Sequence, residues 1–116
     1  MPLIKFFGIP TGHDEQFYLN FKEAIREDVI AIKEIELSSM KDVSVKLMSE
    51  VGGDDGEIQI EVTFNKYEAK RTFEVKKKLA DALTARTDKV FPKLTLTECW
   101  GDPFDPDERG FSCIRN

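Results

Sequence analysis

The residue types that most often carry chemistry are sparse in this chain and poorly grouped. There is one histidine, His13, and there are two cysteines, Cys99 and Cys113. No close cysteine pair accompanies the histidine, so the ligand spacing of a zinc site is missing. Two cysteines make no disulfide framework, and the pair reads as reduced thiols of a cytosolic protein. The acidic residues Asp102, Asp105, Asp107 and Glu108 lack the spacing and the central glycine of a calcium loop, and they read as a solvated tail. No metal and no cofactor are expected. His13 falls in a polar loop and is expected to be exposed. Lys46 and Lys66 read as solvated lysines at strand ends, Arg71 and Arg86 as surface or interface residues on or beside a helix, and Trp100 and Phe104 as packing or a subunit seam.

Those residues must be held by elements that the hydrophobic pattern defines. Leu3 to Ile9 is a short run, apolar on both faces, which suits a buried strand. Pro10-Thr11-Gly12 breaks it, and Thr11 or Asp14 is placed to cap a helix. That helix spans about 14–34, with Tyr18, Phe21, Ile25, Val29 and Ile32 on one stripe and an acidic first turn. Val43 to Leu47 alternates with period two, as does the segment from Ile58 to Phe64. Between them Gly52-Gly53-Asp54-Asp55-Gly56 is a strong turn signal, so the two strands are expected to pair as a hairpin. A second helix is expected over about 69–87, with Thr72, Val75, Leu79, Ala82 and Arg86 on one stripe and Leu83 beside it. Pro92 ends it, and residues 94–100 form the last strand.

The element order is one β-α-β unit repeated. The expected fold class is α+β: a single domain over 1–116, with a four-stranded mixed sheet and both helices on one face. Leu3 and Phe7 suggest that the other sheet face is apolar as well, which calls for an oligomer to cover it. The chain has 116 residues, 41% of them hydrophobic and 34% charged, a composition that is globular rather than disordered. Its net charge of -5 argues against nucleic acid and anionic lipid as partners. No apolar run has the length of a membrane span, and the amino terminus does not read as a signal peptide, so a cytoplasmic location is expected.

With Met1-Pro2-Leu3-Ile4 at its start, Gly12-His13-Asp14-Glu15-Gln16 at its first helix junction, Ser44-Val45-Lys46-Leu47 in its second strand and a doubled β-α-β layout, the chain resembles the tautomerase superfamily. That family includes 4-oxalocrotonate tautomerase and macrophage migration inhibitory factor. The segment IEVTFNKYEAKRTFEVKKKLADAL also looks like an uncharacterised bacterial branch of it. The likeness covers nearly the whole chain as topology and is sparse as identity. An arginine of the family's loop is replaced here by Thr11, Gly12 or His13, and Lys46 stands where the family places a substrate-binding arginine.

The resemblance implies an isomerase that uses an N-terminal proline as general base on a small anionic carbonyl compound such as a 2-oxo acid. Removal of Met1 would free the nitrogen of Pro2; with Met1 attached that nitrogen is an amide and no base. An α-amino group titrates near neutral pH, and an apolar pocket with cations nearby favours its neutral form. By positional likeness Lys46, Phe64, Lys66, Thr95 and Thr97 would bind substrate, Lys46 from the same or a neighbouring subunit. The family also implies a homotrimer. Two other readings fit the same string: a non-enzymatic oligomeric binding or interaction protein that keeps this fold, and a ferredoxin-like binding module.

Overall fold

Alternation sets the first strand. Pro2–Phe7 form β1, in which Pro2, Ile4 and Phe6 are buried and Leu3, Lys5 and Phe7 are half-buried. The strand is expected to run to Ile9 but stops at Gly8, whose φ of 87° is open to glycine and strained for other residues. The computed structural model describes residues 2–35, 37, 39–53, 56–64, 73–94 and 96–103.

The first helix, α1, spans Glu15–Ile30, and its stripe buries Phe21, Ile25 and Val29. The Asp14 carboxylate caps it by accepting the Phe17 amide at 2.9 Å. Replacing Asp14 by alanine should cost about 1 kcal/mol, readable as a lower urea midpoint at unchanged slope. The helix ends earlier than its stripe implies. Ile32 and Ile35 are still buried, but through a 3-10 turn at Lys33–Ile35. A second such turn, Met40–Asp42, leads into β2 at Ser44–Met48.

β3 spans Glu57–Phe64, the second helix α2 spans Phe73–Val90 and β4 spans Leu96–Pro103. The sheet order is β2-β1-β3-β4. β1 runs parallel to β2 and antiparallel to β3, and β3 runs parallel to β4. The hairpin expected across the glycine turn is therefore absent: β2 and β3 flank β1 on opposite sides. The alternation of Ile58, Ile60 and Val62 is satisfied against β1, and residues 49–56 form a connection too long for a tight hairpin turn. Each β-α-β crossover joins adjacent strands, which excludes the ferredoxin-like arrangement, where another strand splits the unit.

One core lies between the sheet and the helices. Ile4, Phe6, Ile58, Ile60 and Val62 meet Phe21, Ile25, Val29, Leu79 and Leu83 there, all at most 2% exposed. The buried face of α2 is Leu79, Leu83 and Thr87. It is turned about one position from the expected stripe, and Arg86 instead meets α1. Its Nε and Nη2 donate to the two carboxylate oxygens of Asp28 at 2.8 and 3.0 Å, a bidentate pair that ties the helices together. Thr87 is fully buried without an unmet hydroxyl, since Oγ1 donates to the Leu83 carbonyl at 2.8 Å. Thr72 and residues 69–71 lie outside the described residues.

The face of the sheet away from the helices is not the apolar one expected. Leu3 and Phe7 share it with Lys5, Lys46, Gln59, Glu61 and Thr63. Strand alternation puts every second residue there, and in β2 and β3 those positions are mostly polar. Among the described residues, no helix is long and apolar enough to cross a membrane.

Candidate functional site

β1 and β2 begin, and β3 and β4 finish, at the same end of the sheet. Pro2 stands opposite Phe64, Phe64 opposite Pro103, and Leu3 between Ser44 and Thr63. A proline is tolerated at the first residue of a strand, where the missing amide costs no ladder bond. Pro2 is buried on the face that carries Ile4 and Phe6.

Cations gather beside this end. Arg26 reaches from α1 and donates through Nε to the Val43 carbonyl at 3.2 Å, just before β2 begins. A cleft of about 670 Å³ opens there, and Arg26, Lys41, Glu23 and Ser44 are among its lining residues. No motif or spacing in the sequence points to Arg26 or Lys41. Arg26 follows the buried Ile25, so it lies on the flank of the α1 stripe, and that position is the one signal that marks it. Lys41 sits in a turn that no periodicity fixes.

The residues expected to surround Pro2 do not all converge on it. Lys46 is exposed and stands beside Lys5 on the opposite face of the sheet from Pro2. Glu61 is paired with Lys5 on the other side and offsets that like-charge contact. Thr97 is opposite Ile58, and its hydroxyl donates to Asp88 Oδ1 at 2.9 Å. It lies six residues before Pro103 in β4, which at about 3.3 Å per residue is about 20 Å. Phe64 ends β3 in register with Pro2. Lys66 and Thr95 lie outside the described residues. One chain thus joins Pro2 with the end of β3, but strand alternation separates it from Lys46 and sheet length separates it from Thr97.

His13 is exposed, as expected, yet not loose. Its ring stacks on Phe17, with centroids 3.9 Å apart and planes 12° from parallel. Among the described residues, no group of three or more histidine, cysteine or acidic side chains is placed to hold a metal ion. Trp100 lies in β4 opposite Glu61, and Asp102 opposite Thr63. Arg71, Phe104, Asp105, Asp107, Glu108 and Cys113 lie outside the described residues.

The Cys99 thiol is a poor nucleophile. Burial, with a smaller contribution from the Asp81 carboxylate, pushes it up to about 11. Only the thiolate reacts. At pH 8, iodoacetamide should label Cys99 in the native protein about a hundredfold more slowly than after denaturation, since a shift of two units cuts the thiolate fraction by that factor. Mass analysis of the peptide that contains Cys99 reads this separately from Cys113.

No protein-family model matches the sequence, and no curated protein does. Solved structures do match in shape. A wild-type fused 4-OT, an asymmetric trimer, is 15% identical and superposes with a TM-score of 0.60 over 87% of this chain and 86% of its own. Pt0534, inactivated by 2-oxo-3-pentynoate, is 15% identical with a TM-score of 0.64, over 96% and 91% of the two chains. Malonate semialdehyde decarboxylase is 13% identical with a TM-score of 0.60, over 97% and 92%. All three belong to the tautomerase superfamily. With its two adjacent-strand crossovers, the chain has the fold of that superfamily.

Proposed function

We propose that the protein is a tautomerase-type isomerase in which Pro2, freed by removal of Met1, serves as general base on a small anionic carbonyl compound such as a 2-oxo acid. The observation that carries this reading is the burial of Pro2 at the first residue of an inner strand, within a fold shared with tautomerases. In the proposed reaction the neutral Pro2 nitrogen takes a proton from carbon next to the carbonyl. The electron pair moves into the carbonyl to give an enolate, and the protonated Pro2 returns the proton at the other end of the enol system. Arg26 and Lys41 supply positive charge beside that end of the sheet for the substrate's carboxylate or the enolate oxygen.

The same reading includes a cytoplasmic homotrimer. Lys46 lies on the sheet face opposite Pro2, so any role at a proline site requires it to come from another copy. One of the similar structures is a trimer. Sedimentation velocity tests the assembly directly.

A second reading keeps the fold and drops the catalysis: an oligomeric binding or interaction protein. The separation of Lys46 and Thr97 from Pro2 favours it. Intact mass of untagged protein, combined with the rate of enol-to-keto conversion of phenylpyruvate, decides between the two. Loss of Met1 with a rate well above buffer supports the isomerase. Retained Met1, or a rate equal to buffer, supports the binding protein.

A further inference from the structure

A second concavity lies at the end of the sheet remote from Pro2. β1 and β2 are parallel and both deliver their carboxyl ends there. The Gly8 and Ile9 amides both donate to the Met48 carbonyl, at 3.0 and 2.9 Å, which turns the chain sharply away from the sheet. A cleft of about 450 Å³ opens between the 9–13 loop, α1 and the end of β2. That volume is within the range of sites for small ligands.

Its lining is selective. In a chain of net charge -5, no carboxylate lines this cleft among the described residues, and Lys22 does. Lys22 is half-buried and has no ion-pair partner among the described residues. A cation left without a carboxylate on a concave surface is an anchor for an anion. Leu47 and Met48 give the cleft an apolar wall. The opposite wall is fixed: the Tyr18 hydroxyl donates to the Pro10 carbonyl at 2.7 Å and accepts from the His13 amide at 3.4 Å. The stack of His13 on Phe17 holds the rim.

We propose that this cleft binds a small organic anion, a carboxylate with a short apolar body. The carboxylate pairs with Lys22 and the body lies against Leu47 and Met48. The site is separate from Pro2 and does not depend on the isomerase reading.

Amide chemical shifts of isotopically labelled protein, titrated with benzoate and with benzyl alcohol as the neutral control, test it. Benzoate should give saturable shifts centred on Thr11, His13, Lys22 and Ser49, with weaker or no saturation by benzyl alcohol. Lys22→Met should weaken benzoate about tenfold, the scale of one lost charge-assisted hydrogen bond, and Lys22→Arg should restore most of it. Pro2→Ala should leave benzoate binding unchanged, so a failed isomerase reading does not touch this result. The proposal is overturned by shifts that never saturate, by unchanged affinity in Lys22→Met, or by shifts centred on residues 2–4 and 62–64 that Pro2→Ala removes.

Discussion

Protein that retains Met1 is expected to lose phenylpyruvate tautomerisation by about 10²–10⁴-fold relative to protein that begins at Pro2, the usual contribution of a general base. The loss is large because the change is chemical rather than geometric. An amide nitrogen has no available electron pair, whatever its position. Pro2→Ala is expected to be milder, about 10²-fold, because it keeps an amine but loses the ring that fixes the nitrogen's direction. The pH profile carries a sign. The base works only when neutral, so the rate rises with pH through the amine's pKa. For a freed Pro2 the rise is expected in the range where α-amino groups titrate, near neutral pH. Stopped-flow rates of the two species across pH check both statements. Equal rates with and without Met1 would remove Pro2 from the mechanism.

Gly8→Ala is expected to destabilise the fold by about 3 kcal/mol or more, the sum of a left-handed backbone penalty and a steric shift in packed structure. Its φ of 87° is unfavourable to alanine, and an added Cβ would come within 2.3 Å of the Glu57 carbonyl oxygen. That oxygen belongs to backbone and has no rotamer by which to withdraw. Gly12→Ala is the control. Its φ is 99°, but an added Cβ meets nothing within 4 Å, so only the backbone penalty of about 1–2 kcal/mol remains. Urea unfolding of both variants separates the contributions. A Gly8→Ala midpoint no lower than that of Gly12→Ala would show that the close approach to Glu57 is relaxed at no cost.

The elements were legible wherever burial imposes a period. Phe21, Ile25 and Val29 mark α1, and Ile58, Ile60 and Val62 mark one face of β3, because each must reach the same core. Which strands lie side by side was less legible. A glycine-rich connection after one alternating strand and before another favours a hairpin, yet whether β1 comes between them is decided by contacts far apart in sequence. Helix ends drifted for a similar reason: Ile32 and Ile35 continue the apolar pattern of α1 while the backbone has already tightened into a 3-10 turn. In the site, Pro2 was visible because a proline after the initiator is read directly from the sequence. The distance from Pro2 to Thr97 and the sidedness of Lys46 depend on register, which no local pattern encodes. Arg26 and Lys22 do not stand out in the sequence, because a cation on a helix flank usually faces water.

The inner position of β1 has a mechanical consequence. A strand bonded along both flanks cannot peel away one hydrogen bond at a time. Tension applied at its first residue loads two ladders in shear, whereas β2 and β4, each with a single neighbour in the sheet, can unzip. The chain therefore carries Pro2 on one of its two stiffest members, and thermal deformation of the sheet falls mainly on the edges. A nitrogen mounted there keeps its direction without needing a rigid surrounding loop.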